Sequence, residues 1–176
     1  QVLASADYNG EAVVDVASLS SAGFGSWYLS SQDQIRFDGN ISATVNNQLR
    51  LNAPKFSAAD NATRVALSAA AIQLGNSAPS AVPLAAADIG LAEASFTARD
   101  IGISGHFSWN DFAVTRFNSA GEIHFDSTPN SAVNRTGGRS FSGKMAAAGT
   151  VVFSAARLSP STYSDYRVDL SSDTAS

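Results

Sequence analysis

The chain has 176 residues, enough for one ordinary domain or one stretch of a repeating array. Apolar residues make up 44% and charged residues only 15%, so Ser, Ala, Asn, Thr and Gly carry the polar surface, which excludes a charged disordered chain and a Leu/Glu/Lys-patterned bundle. The absence of cysteine excludes disulfides and thiolate chemistry, and a net charge of -4 offers no basic footprint for nucleic acid or an anionic membrane.

Residues 1–22 read as a lead-in segment. The chain opens on Gln1, as expected of a segment excised from a longer precursor, and Ala12-Val13-Val14-Asp15-Val16 alternates like a strand. A cluster at Gly23-Phe24-Gly25 then opens a body over 23–170. Within it, Leu49-Arg50-Leu51-Asn52-Ala53-Pro54-Lys55-Phe56 shares an apolar skeleton with Val65-Ala66-Leu67-Ser68-Ala69-Ala70-Ala71-Ile72. Shorter versions recur from Leu84 to Leu91, from Phe96 to Ile103 and at Ile123-His124-Phe125, and a full one at Val151-Val152-Phe153-Ser154-Ala155-Ala156-Arg157-Leu158. Each copy alternates with period two over three to five residues, the pattern of a short half-buried strand. Ala69-Ala70-Ala71 and Ala146-Ala147-Ala148 read as tight corners, and Asp38-Gly39-Asn40, Asp60-Asn61, Gly75-Asn76, Gly105, Asp126-Ser127 and Gly137-Gly138 as turns. A larger unit also recurs, since Trp27 to Asp38 parallels Val114 to Asp126, which predicts two unequal blocks at about 23–104 and 105–170. Residues 171–176 read as a polar tail.

The spacing is too short for a crossover helix and a return strand. Successive copies are therefore either rungs of a parallel β-helix or strands of an antiparallel β-sandwich. Small residues recurring after each apolar pair favour the solenoid, because corners stack like on like in it. Leu51, Leu67 and Leu84 are then expected to stack in line, with Leu51, Phe56, Leu67, Ile72 and Ile101 in one continuous core.

The Ala-motif strands ending at Gly75-Asn76, the Asp100-Ile101-Gly102-Ile103-Ser104-Gly105 passage, Ser119 to Phe125, and Gly149 to Thr162 together resemble the repeat region of filamentous haemagglutinin-type exoproteins. That resemblance implies a right-handed parallel β-helix, secretion by a two-partner system of Gram-negative bacteria, and a shaft serving reach, presentation and adhesion. The family's amino-terminal secretion domain has no counterpart here. Repeats of this kind imply fold more strongly than function.

Candidates for chemistry are sparse. His106 and His124 lie far apart without the spacing of a metal motif, and alternation turns His124 outward between Ile123 and Phe125. Asp88, Asp100 and Asp126, with Arg99 and Arg116 as cationic partners, are the carboxylates that a polysaccharide-active β-helix enzyme would need, although an Asp before a strand commonly caps a turn. Trp27, Tyr28, Phe107, Trp109 and Phe112 are either a sugar-stacking platform or core filling, with Trp27, Tyr28 and Trp109 the candidate carbohydrate contacts. Sequons stand at Asn40, Asn61 and Asn134. No cofactor, metal or catalytic residue is expected. The expectation is a non-catalytic structural and adhesive segment of a secreted bacterial surface protein, with neighbouring coils, identical subunits and surface glycans as partners, and neither nucleic acid nor membrane insertion. Two alternatives stand beside it: a self-assembling filament subunit whose Gln1–Val16 segment supplies a strand to the next copy, and the polysaccharide-active enzyme.

Overall fold

The computed structural model describes residues 12–78, 87–133, 139–162 and 164–170; Leu84, Asn134 and the 171–176 tail lie outside them. The fold is all-β, 68% strand against 4% helix, with a parallel sheet curled as a half-barrel. One ladder of strands runs through β1 (Ser26–Ser30), β3 (Asn40–Asn52), β5 (Arg64–Asn76) and β6 (Ala92–Asn110). It continues as β7 (Phe112–Ser119) and β8 (Glu122–Asp126) side by side, and then as β11 (Thr150–Ser154) and β12 (Arg157–Pro160). A second ladder joins β2 (Gln34–Phe37) and β4 (Lys55–Ala58) to the far end of β6, and then to β10 (Arg139–Ala147) and β13 (Asp165–Asp169). All of these pairs are parallel. Only β9 (Thr128–Val133) pairs antiparallel, with β10, among the described residues.

Parallel pairing turns the alternation of each strand into columns that cross the sheet. One inward column runs Trp27, Leu49, Ile72, Ile101, Ile123 and Leu158, and its neighbour runs Leu29, Leu51, Leu74, Ile103, Phe125 and Pro160. A third runs Ala43, Leu67, Phe96, Phe117 and Phe153, its last three rings stacked 5.4 Å apart at interplanar angles of 15° and 13°. Leu51, Phe56, Leu67, Ile72 and Ile101 are all buried in one cluster. The expected Leu51–Leu67 stack, however, is not formed. Leu51 lies between Leu29 and Leu74, and Leu67 between Ala43 and Phe96. Strands β3 and β5 are 13 residues long and each carries two copies of the apolar motif, so the similarity between residues 49–56 and 65–74 is not the rung repeat.

Between the two motifs of one strand the inward parity reverses. In β5 the buried side chains are Val65 and Leu67 before Ala69-Ala70-Ala71, and Ile72 and Leu74 after it. In β6 the same reversal falls at Ala98-Arg99-Asp100, paired with it in register. The Ala run is thus a bend within a strand, where small side chains let stacked rungs turn together. At the other bend, Gly105 has φ 68° and lies so close to the previous rung that a Cβ there would be 1.8 Å from the Asn76 carbonyl oxygen. Buried Asn76 donates to the His106 carbonyl at 2.9 Å and accepts from the Ala78 N–H at 3.0 Å. Residues of β6 before Gly105 pair in the first ladder, and those from His106 onward in the second. The block boundary expected between 104 and 105 is therefore a bend inside one strand.

The inside of the curl is filled by aromatic rings, and Trp109 joins the ladders. Its ring lies 5.2 Å from Phe56, 4.9 Å from Phe112 and 5.6 Å from Phe96, and its indole N–H donates to Thr115 Oγ1 at 2.6 Å. The ends of the sheet differ. At the first, the expected strand over Ala12–Val16 gives way to helix α1 (Val16–Ser21), because the Asp15 carboxylate accepts the Ala17 and Ser18 N–H groups as an N-cap. Val16 and Leu19 of that helix pack against the core. At the other end the columns finish on side chains over which none of the described residues is laid: Leu158 is 53% exposed although Ile123 beside it is fully buried.

Truncating Leu67 to Ala should cost about 2–5 kcal/mol, because the Ala43–Phe96 space cannot close across a rigid ladder, whereas outward Ala66→Ser should be near neutral. Urea unfolding of both variants measures the difference.

Candidate functional site

The outer face of the first ladder gathers the chemistry-bearing side chains. On β8, alternation turns Glu122, His124 and Asp126 outward while Ile123 stays inside. Register places Arg157, Ser159 and Ser161 beside them on the next rung, and Asp100, Gly102 and Ser104 on the previous one. Arg157 donates to Glu122 Oε2 at 2.5 Å, and the Ser159 hydroxyl donates to Glu122 Oε1. Those bonds, that of Arg157 first, hold the Glu122 carboxyl below its usual range, so it stays ionised. His124 Nε2 lies 3.2 Å from Asp126 Oδ2, and the Ser161 hydroxyl donates to Asp126 Oδ1. Gly102 makes room for the imidazole, since a Cβ there would come within 2.8 Å of His124 Nε2.

The order of contacts decides what this cluster does. Asp126 stands between the hydroxyl and the imidazole, so the Ser161 hydroxyl donates its hydrogen bond to the carboxylate and not to the imidazole. Among the described residues, no group of three or more His, Asp or Glu side chains is arranged to hold a metal ion. The cluster is a half-buried lattice of carboxylates, hydroxyls and cations on the outer face, suited to contact by hydrogen bonding.

The expected carboxylates do not converge. Asp100 bonds Arg99 at 2.7 Å, Asp126 lies four positions further along the sheet, and Arg116 pairs with Glu93 at 3.7 Å. Asp88 is at a different bend, where its carbonyl accepts the Asp111 N–H at 2.9 Å. Sequence reasoning missed Asp111, whose carboxyl burial pushes up and nearby Lys55 pulls down, and whose φ of 70° is unusual for a residue with a side chain. The only sequence signal was the Asn110-Asp111 pair, a common left-handed turn choice. Of the two readings of the aromatic residues, core filling holds for four: Trp27 and Trp109 are 6% and 2% exposed, so neither presents a ring face, and Phe107 and Phe112 are buried with them. Filling the curl took these four rings inward, while Phe24 between Gly23 and Gly25 stays 57% exposed. Tyr28 alone of the three candidate contacts is exposed, at 59%, with the Arg50 guanidinium 5.1 Å over its ring.

His106 is half-buried, its Nε2 3.1 Å from Ser142 Oγ. Comparison with protein-family models, curated proteins and solved structures finds no match to this chain.

Burial, helped by the Lys144 charge and opposed by the Ser142 bond, holds the His106 imidazole below its ordinary 6.5. The unfolded chain therefore binds its proton more readily, and stability should fall as pH drops from about 6.5 toward the lower folded value. Thermal melts between pH 7 and 5 should show that loss, and His106→Gln should flatten it in this window.

Proposed function

We propose that the chain is a right-handed β-solenoid segment of a secreted bacterial surface exoprotein of filamentous haemagglutinin type, acting as a stiff, adhesive, non-catalytic shaft. The observation that carries this reading is the in-register parallel pairing, in which inward columns continue like on like through as many as six strands. Such stacking propagates along one axis, each rung resting on its neighbours, and gives a protein reach rather than a pocket. The outer face supports the adhesive part. Its hydroxyls, amides and paired charges are already oriented by one another, so a flat partner meets a surface needing little ordering.

One observation favours a second reading, a self-assembling filament subunit. The half-exposed columns at β11 and β12, ending on Phe153 and Leu158, are a surface that another copy would cover. The two readings separate by concentration dependence and by the amino-terminal segment. A shaft segment should sediment as the same elongated particle at all accessible concentrations, with an axial spacing near 4.8 Å in aligned samples. Concentration-dependent fibres that vanish on deletion of residues 1–16 would replace the shaft by the filament. A globular particle with turnover on polysaccharides would sink both.

A further inference from the structure

We propose that Asn40 is an N-glycosylation acceptor that takes its sugar from a glycosyl donor with a phosphate leaving group; the inference rests on the extracellular part of the reading above. Three sequons occur, and the fold separates them. The side chain of Asn61 is committed: its Oδ1 accepts the Leu91 N–H at 3.0 Å, and its carbonyl accepts from Arg64 at 3.1 Å, so it ties one bend to the next. Asn134 lies outside the described residues.

Asn61 is exposed at a turn as well, and Asn40 differs from it in having an uncommitted side chain. It is exposed, it is the first residue of β3, and Gly39 before it has φ 72°, so the acceptor sits at a turn and not in the middle of a ladder. Among the described residues its side chain makes no hydrogen bond. Among the described residues its strand is paired there on one side, by Arg64 of β5, because β1 reaches only Gln48–Asn52. Ser42, which completes the sequon, is exposed on the same face by alternation, with Ile41 turned partly inward. Asp38 places a carboxylate two residues before the acceptor, where Asn61 and Asn134 have Ala59 and Ala132. The structure also gives the product a place to lie. A shallow trough runs from Asn40 past Ser42 and Ala66, its rim set by Arg64, Glu93 and Arg116. Arg116 and Arg64 stand 3.7 and 3.9 Å from the Glu93 carboxylate, so sugar hydroxyls there would find both donors and acceptors.

In the reaction the Asn40 Nδ2 attacks the anomeric carbon of the donor, the bond from that carbon to the phosphate oxygen breaks, and the phosphate leaves with the electron pair. The amide nitrogen gives up one proton, leaving an N-glycosidic bond. The phosphate can be carried by a lipid or by a nucleotide, and the acceptor chemistry is the same for both.

The test uses the folded full chain, with two arms: a membrane oligosaccharyltransferase with a lipid-linked oligosaccharide, and a soluble N-glycosyltransferase with a nucleotide sugar. Intact mass and peptide mapping should show one glycan per chain at Asn40 in at least one arm, and the arm that works identifies the donor. The increment should disappear in Asn40→Gln and in Ser42→Ala and persist in Asn61→Gln. The glycosylated chain should keep an unchanged β-type circular dichroism spectrum. No increment in either arm, an increment confined to Asn61 or Asn134, or a glycosylated chain that loses that spectrum would overturn the assignment. Because both arms work on purified protein, they do not depend on export. Finding the chain inside its producing cell would sink the extracellular reading and leave the acceptor standing.

Discussion

Everything in the fold passes through one bend in one strand. β6 pairs with β5, β7 and β8 before Gly105 and with β4 and β10 after it, so among the described residues the two ladders share a single strand's backbone there alone. Only glycine meets both demands at that point, a φ of 68° and contact with the Asn76 backbone closer than any Cβ allows. Trp109, four residues on, then reaches across the curl to Phe96 and Phe117 of the first ladder, so that the bend and the core reinforce each other.

Parallel register also explains the composition. In such a ladder each outward position faces its equivalents about 4.8 Å away on both sides, so a repeated charge would meet its own sign. Hydroxyls and amides face no such penalty: Thr44 and Ser68 share a hydrogen bond of 2.8 Å, and Asn52 donates to Ser30 at 3.0 Å. Charges alternate across rungs in Arg64, Glu93 and Arg116 and in Glu122 and Arg157, and where Lys144 does face Arg167 the Asp169 carboxylate lies 3.0 and 3.9 Å from the two. The low charge content and the abundance of Ser, Thr and Asn are thus consequences of stacking. The same face carries the cluster around His124 and the trough beside Asn40.

Strand alternation, small-residue bends and the apolar identity of Leu51, Phe56, Leu67, Ile72 and Ile101 were legible in the sequence because each depends on a few consecutive residues. Register was not. Paired positions are 22 residues apart between Ser26 and Gln48, 29 between Arg64 and Glu93 and 36 between Val114 and Thr150, so no fixed period exists to be found. The motif similarity within one long strand was stronger than that between rungs, and it suggested the false Leu51–Leu67 stack. The outward cluster was half legible: alternation gave the orientation of His124, but its Asp126, Ser161 and Gly102 neighbours come from other positions and rungs. Whether a tryptophan near a glycine faces inward or outward depends on how the curl closes, which no local pattern encodes.

A shaft needs rungs that rest on one another in a fixed alignment, and the chain, having no cysteine of its own, allows that alignment to be tested directly. Arg50 and Gln73 are register partners on the outer face, while a 16-residue repeat would instead set Arg50 beside Ala66. Paired neighbours stand within reach of a disulfide, and residues several positions out of register do not. Under mild oxidation the Arg50→Cys/Gln73→Cys variant should form an intramolecular bond nearly completely, and Arg50→Cys/Ala66→Cys should remain reduced. Efficient closure of the second pair and not the first would contradict the register, and with it the stacked columns on which the shaft depends.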